Sequence, residues 1–304
     1  MKNVIKILRS TPIYAESWNV AFRNSCIGKI MDDNQEPFLI IKNNIRYWAA
    51  DPFVIEFEEQ TYIFAELYDY ILGRGVLGYC KIEKGKASKW IPIIKEDYHL
   101  SYPCIIRCKG KVYIMPESGE GNVLSVYEAV EFPNKWKKRR IIRENVKFAD
   151  TTPFPGQFSK RALTHCVEHP ESPILMMIDL SGEFEDIVLD AESFYSRPAG
   201  NMFINNDRII RPAQFSKDCG SGYGKGLIFY QCRFNGEDVY DEIVIKKMNP
   251  EDLKFNRQMY LDGMHTYNAS QHYEVIDVKT RRLNILDLCM RIVRKFIRRL
   301  ERQK

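Results

Sequence analysis

Asp51-Pro52-Phe53-Val54-Ile55, then a charged turn, then Tyr62-Ile63-Phe64-Ala65-Glu66 is the stretch that decides the fold, because the chain writes it again. The second copy reads Tyr102-Pro103-Cys104-Ile105-Ile106, the turn Cys108-Lys109-Gly110-Lys111, then Tyr113-Ile114-Met115-Pro116-Glu117. In both copies a glutamate that ends an aromatic-aliphatic strand stands fourteen residues after a proline. Two altered copies follow. One opens at Asp150-Thr151-Thr152-Pro153-Phe154, with Cys166-Val167-Glu168 at the corresponding distance. The other is Arg197-Pro198-Ala199-Gly200, with Arg211-Pro212-Ala213-Gln214 fourteen residues on. Prolines 52, 103, 153 and 198 set a period of about 45 to 51 residues, which on short strands is the period of β-propeller blades.

Between these anchors lie the remaining strands, each bounded by turn residues. Segments 73–80 and 87–94 follow the first pair, 123–127 the second, 174–178 the third and 227–232 the fourth. After them, 263–270 and 273–278 supply only half a blade; 18–22 and 37–41 supply another half at the opposite end of the chain. Joining the halves leaves no open sheet edge to aggregate. The expected fold is all-β: a five-bladed β-propeller over residues 1–280, closed by N- and C-terminal strands. Beyond it Ile285, Leu286, Cys289, Ile292, Val293, Phe296 and Leu300 recur at helical spacing, so 281–304 is expected to carry a basic amphipathic C-terminal helix. A Gly-x-Gly-x-x-Gly pattern at 73, 75 and 78 opens no helix and is not read as a phosphate loop.

The chain has 304 residues, 45% hydrophobic and 12% aromatic, enough for a large folded core. Its net charge of +5 is uneven: 281–304 holds nine Lys/Arg against Asp287 and Glu301, which leaves −2 for the rest. The body is therefore not expected to bind nucleic acid. Eight cysteines without a CxxC pair or a Cys/His cluster read as small buried hydrophobes in a reducing compartment. The N-terminus lacks a signal-peptide pattern and no apolar run is long enough to span a bilayer, so the expected location is cytoplasmic.

Innermost strands of a propeller run beside its axis, so their beginnings converge. The repeat openings bring Asp51, His99 with Tyr102, Asp150, Arg197 and His265 there, and the second-strand ends add Glu66, Glu117 and Arg211 with Gln214. Facing carboxylates suit sugar transfer, in which one group stays ionised while another holds a proton. Arginine and histidine suit phosphate or a ring of hydroxyls. Asp51, Glu117 and Asp150 are the candidate catalytic residues. Trp48, which precedes Asp51, joins the others as a candidate for binding substrate. Structural readings stand beside these: turn or cap residues for the aspartates, strand histidines, and tryptophans in the core.

Seven ordered motifs carry a resemblance: Trp48-Ala49-Ala50-Asp51-Pro52-Phe53, His99-Leu100-Ser101-Tyr102-Pro103, Met115-Pro116-Glu117, Arg197-Pro198-Ala199-Gly200, Arg211-Pro212-Ala213-Gln214, Tyr223-Gly224 and His265-Thr266-Tyr267-Asn268. Over about residues 15–278 the chain resembles the propeller domain at the N-terminus of plant glucosamine inositolphosphorylceramide transferases, found in bacteria alone or beside formyltransferase-like domains. This adds Tyr223 to the substrate-binding candidates. More distantly the chain resembles the arabinanase and xylosidase propellers, which use an Asp as base, a second Asp as pKa modulator and a Glu as acid. That likeness implies Asp51 as base, with Glu117 and Asp150 as acid and modulator. It implies no single activity, since such propellers include hydrolases, phosphorylases and glycosyltransferases. The expected function is a glycosyltransferase of surface-polysaccharide or glycolipid assembly, taking a sugar nucleotide or glycan and meeting an anionic inner membrane face through the basic helix. The alternatives are a glycoside hydrolase or phosphorylase on intracellular oligosaccharides, and a non-catalytic glycan-binding propeller. No cofactor and no metal motif is expected.

Overall fold

The computed structural model describes residues 14–301 apart from 26, 33–35, 157–158, 169–173, 184, 190–196, 216–223 and 236–238. In chain order, β1 (Tyr14–Asn24) and β2 (Leu39–Ile40) precede blade I, made of β3 (Tyr47–Phe57), β4 (Gln60–Asp69), β5 (Arg74–Glu83), β6 (Lys86–Ala87) and β7 (Ile91–Ile94). Blade II is β8 (Ser101–Cys108), β9 (Lys111–Glu117), β10 (Val123–Glu131) and β11 (Lys135–Glu144). Blade III is β12 (Phe148–Pro153), β13 (Arg161–Cys166), β14 (Ile174–Asp179) and β15 (Ile187–Val188). Blade IV is β16 (Phe203–Asn205), β17 (Arg208–Phe215), β18 (Gly226–Asn235) and β19 (Val239–Met248). Then come β20 (Tyr267–Ala269), β21 (Tyr273–Leu283) and the helix α1 (Ile285–Glu301).

The fifth blade closes the ring as expected, in the order β2-β1-β21-β20. β1 and β21 pair along their whole length, from Tyr14 opposite Leu283 to Asn24 opposite Tyr273. A buried ion pair, Arg23 with Glu274, bolts that seam. Glu274 Oε1 also accepts from the Ile30 N–H and the Tyr267 hydroxyl, both at 2.7 Å, so little of the desolvated charge goes unanswered. Hairpins inside the blades turn on two residues that both have positive φ: Glu58-Glu59, Lys84-Gly85, Lys109-Gly110 and Asn206-Asp207. Such turns match the right-handed twist of the strands they join.

One local device sets the site. Asp51, Tyr102 and Asp150 occupy the left-handed region, with φ of 50°, 44° and 51°. At each the inner strand skips register against its neighbour, between Ala50 and Phe53, Ser101 and Cys104, and Ala149 and Thr152. These are bulges, which re-aim a side chain at a sheet's rim. A left-handed conformation is strained for these residues, and the hydrogen bonds below hold it in place. In blade IV the equivalent turn uses Gly200, φ 129°, where an added Cβ would lie 1.8 Å from the Tyr267 carbonyl oxygen. Between blades the core is aliphatic and aromatic, with Phe53 set edge-on to Tyr102 at 4.8 Å.

The helix α1 begins on a side-chain cap, the Asn284 side chain accepting from the Asp287 N–H at 3.1 Å. It rests on blade I at the end where β4 finishes, through Arg294 donating to the Tyr70 carbonyl. Among the described residues no helix is long and apolar enough to cross a membrane.

Candidate functional site

Side chains and backbone from all five blades meet where the inner strands begin, forming two centres. The first surrounds Asp51, whose Oδ1 accepts from the Thr266 hydroxyl at 2.7 Å and whose Oδ2 accepts from the Tyr102 N–H at 3.2 Å. The Asp51 N–H donates to Asp277 Oδ2 at 3.0 Å, which fixes the bulge. Asp277 Oδ1 accepts from the N–H groups of His265 and Thr266, at 2.9 and 3.0 Å. His265 Nδ1 stands 2.6 Å from Asp277 Oδ2 and 3.7 Å from Asp51 Oδ1. The indole of Trp18 stacks on its ring at 3.9 Å and 17°. Burial pushes the Asp51 carboxyl up to about 7, against the pull of His265 and with help from Asp150, Asp277 and Glu66. Burial works against charge on His265, but Asp277 and Asp51 outweigh it and lift the imidazole to about 9.

The second centre surrounds Asp150. Its Oδ2 accepts from Arg197 Nε and, at 2.9 Å, from Gln214 Nε2. Arg197 Nη2 donates to Glu117 Oε2 at 3.0 Å, so one guanidinium bridges acids of blades II and III. The two carboxylates are thus held by one guanidinium. Burial pushes Asp150 up; Arg197 opposes, Glu117 adds, and the carboxyl reaches about 7. The pair is graded in depth, since the Asp150 side chain is 2% exposed and the Glu117 side chain 22%.

Near these centres, Glu66 is buried with His99 Nε2 3.3 Å from its Oε1, while the Gly75 N–H donates to His99 Nδ1 at 3.1 Å. Glycine is required at 75, because a Cβ would come 2.3 Å from the Leu100 carbonyl oxygen and 2.7 Å from Glu66 Oε1. This is the structural use of the glycine pattern in β5. Trp48 is half-buried and stacks on Tyr68 at 4.9 Å.

Two candidates stand differently from the rest. Tyr102 is fully buried, its hydroxyl 2.7 Å from Thr152 Oγ1 and accepting from the Gly200 N–H at 2.6 Å; it ties blades II, III and IV together beneath the site. Arg211 is not in either centre. It is fully buried and pairs with Glu242 of β19, its Nε 2.8 Å from Glu242 Oε2, and its guanidinium lies over the Tyr230 ring at 4.7 Å. Residues 211 and 214 are three apart on a strand, so they face opposite sides, and Gln214 takes the side that faces Asp150. Tyr223 lies outside the described residues.

The proline count misses His165. Counted from the bulge residues, 51, 102 and 150, the partner fifteen residues on is Glu66, Glu117 and His165; Glu66, Glu117 and His165 indeed pair opposite Ala50, Ser101 and Ala149. Glu168, reached by counting from Pro153, is exposed past the end of β13. His165 Nδ1 is buried with no hydrogen-bond partner among the described residues, and burial together with Arg197 pushes the ring down to about 4. Asp277 is a further site residue that no repeat marks, although an aspartate inside the apolar run of β21 is a readable signal.

Ligand atoms of Asp51, His265 and Asp277 lie within 4.8 Å of one another, close enough to surround a cation. All three are already engaged in the hydrogen bonds above, and a protonated His265 supplies the positive charge. The cluster fits its own imidazolium better than an added ion.

Residues 40–155 match the family described as glucosamine inositolphosphorylceramide transferase 1, N-terminal. That match contains Asp51, Glu66, His99, Glu117 and Asp150. The chain is 27% identical to glucosamine inositolphosphorylceramide transferase 1 of Arabidopsis thaliana, over 75% of this chain and 30% of that protein. The Oryza sativa subsp. indica protein of the same name is 24% identical, over 74% of this chain and 31% of its own. The chain thus spans under a third of the length of the curated relatives it matches. In fold it is similar to the catalytic domain of Coprinopsis cinerea GH62 alpha-L-arabinofuranosidase (TM-score 0.53, 11% identity, 76% of this chain and 90% of that one). It is also similar to a GH62 hydrolase solved with xylotriose (TM-score 0.52, 10% identity, 80% and 95% covered). The chain is a five-bladed propeller related to the first group in sequence and alike the second in fold.

Proposed function

We propose that this propeller is a carbohydrate-active enzyme and that the two centres act on a glycosidic bond by acid–base chemistry. The observation that carries the reading is the graded pair: a deep Asp150, pushed up to about 7, and a more open Glu117, with Arg197 across both. Glu117 delivers the proton to the leaving oxygen as the bond from the anomeric carbon breaks, and Asp150 shares its proton with it. Asp51 takes the proton of the attacking hydroxyl while Thr266 and the Tyr102 N–H hold its oxygens in place. With water or phosphate as attacker the reaction is hydrolysis or phosphorolysis. This reading is preferred because the curated relatives extend far beyond the matched region, so their transferase name does not attach to this propeller by itself.

Transfer to a sugar hydroxyl from a sugar nucleotide is the second reading, favoured by the name of those relatives. Purified protein offered aryl glycosides and oligosaccharides, with water or phosphate, tests the first. The same protein offered sugar nucleotides and glycan acceptors tests the second. Release of a reducing sugar or sugar phosphate that Glu117→Gln abolishes supports cleavage. Product formed only from a sugar nucleotide replaces cleavage by transfer, and turnover of neither leaves a binding module.

A further inference from the structure

We infer that α1 is a docking surface for an anionic lipid bilayer, presented on the same end of the propeller as the two centres. An amphipathic helix of a globular protein usually turns its apolar stripe inward. This one keeps its attachments on another side. Asp287 is 6% exposed and pairs with Arg291 at 3.0 Å, Arg294 donates to the Tyr70 carbonyl, and Leu286 and Met290 are half-buried beside them. The arc formed by Ile285, Cys289, Ile292 and Val293 stands outward, with Ile285 68% and Ile292 64% exposed. At the root of the helix Leu283 and Ile45 extend this apolar surface, beside a cavity of about 410 Å³.

Charge selects the occupant. Lys295, exposed and one turn from Arg291, flanks the arc, in a segment with nine Lys/Arg against two acids on a body of net −2. An apolar face with a basic flank is the pattern of a helix lying in the boundary of an anionic membrane. Pairing with a second copy through this arc would bring two basic flanks together. Orientation agrees. The Arg294 contact falls on the loop after β4, whose last residue, Asp69, pairs with Tyr47 at the start of β3. From there Tyr70 packs edge-on to Tyr68 at 5.9 Å, and Tyr68 stacks on Trp48 at the site.

The test is flotation of the whole protein with phosphatidylcholine vesicles, with and without phosphatidylglycerol. Wild type is expected to float only with phosphatidylglycerol present and to be released as salt rises. Ile292→Glu is expected to lower the bound fraction on the order of tenfold, and Lys295→Gln roughly fivefold. Both positions point to solvent, so the melting temperature should hold, and Ile285→Glu repeats the first test at a separate place on the arc. Equal flotation of Ile292→Glu, Ile285→Glu and wild type overturns the proposal, as does failure of wild type to float. A wild-type dimer in sedimentation that Ile292→Glu dissociates, without flotation, makes the arc an interface between copies instead.

Discussion

Asp51 and Asp150 sit on the same bulge in blades I and III, both are buried, and both are pushed up to about 7. They differ in the cation that answers them. Asp150 faces a guanidinium, which keeps its charge wherever the protein is folded. Asp51 faces an imidazole that is charged because Asp277 and Asp51 make it so. Burial sets the height of both carboxyls, and the counter-ion decides what each can do with its proton. Around Asp150 two acids meet beside a fixed charge, whereas the charges of Asp51 and His265 depend on each other. A reaction that needs one group to give a proton and another to take one is served by this asymmetry.

Removing the open acid tests the division of labour hardest. Glu117→Gln keeps the shape and the contact with Arg197 but cannot release a proton, so turnover is expected to fall about 10²- to 10⁴-fold. Wild-type rates of glycoside cleavage from this variant would leave the second centre as a fold-holding pair only.

Next come the two cations, exchanged one at a time. Arg197→Met leaves Asp150 and Glu117 without their shared partner, and breaking such a pair typically costs about 3–5 kcal/mol. That loss should be largest near about pH 8 and shrink toward about pH 5, where protonation removes the uncompensated charge. His265→Gln should behave in the opposite sense. Its folded pKa is raised from 6.5 to about 9, so its contribution is complete below 6.5 and lost as pH rises through about 9. Urea unfolding of both variants across this range measures the two slopes, and slopes of the same sign would erase the distinction between the centres.

A smaller effect belongs to the unaltered protein. Both aspartates have folded pKa values raised from 3.8 to about 7, so their contribution is full below 3.8 and lost as pH rises through about 7. With His265 acting in the same direction, the melting temperature should fall by several degrees between about pH 5 and pH 9. Asp51→Asn should flatten the lower part of that curve. The smallest effect comes from Trp18→Leu, which removes the ring stacked on His265. It should cost about 0.5–1.5 kcal/mol and move the His265 titration, followed by NMR, downward. An unmoved titration would confine Trp18 to packing.

Much of this was legible because blades repeat. Proline spacing exposed blades I and II, and the two half-blades at the chain ends foretold the closing seam. The part that stayed hidden depends on backbone geometry finer than a period. Thr151 follows Asp150 where proline follows Asp51, so aligning prolines slides blade III by two residues and leads past His165 to Val167 and Glu168. Arg211 was misplaced because an offset of fourteen residues ignores the side of the strand. Asp277 escaped attention because it sits in no repeat motif, and only the closed ring brings it to Asp51. The helix at 285–301 was readable from its spacing, while the side it turns to the propeller was not, since polar contacts at Asp287 and Arg294 decide that.

The seam between β1 and β21 also governs how the molecule can be made. A ribosome delivers β1 before the four whole blades and its partner after them, so hairpins of those blades can form in turn while β1 waits. Such a distant pairing is slow to find, and until it forms the newborn chain shows unpaired strand edges that chaperones or neighbouring chains can capture. The interval between synthesis of β1 and synthesis of β21 is therefore the vulnerable one. A message truncated just before Tyr273 should yield insoluble product, whereas one truncated after Asn284 should yield a soluble, closed ring.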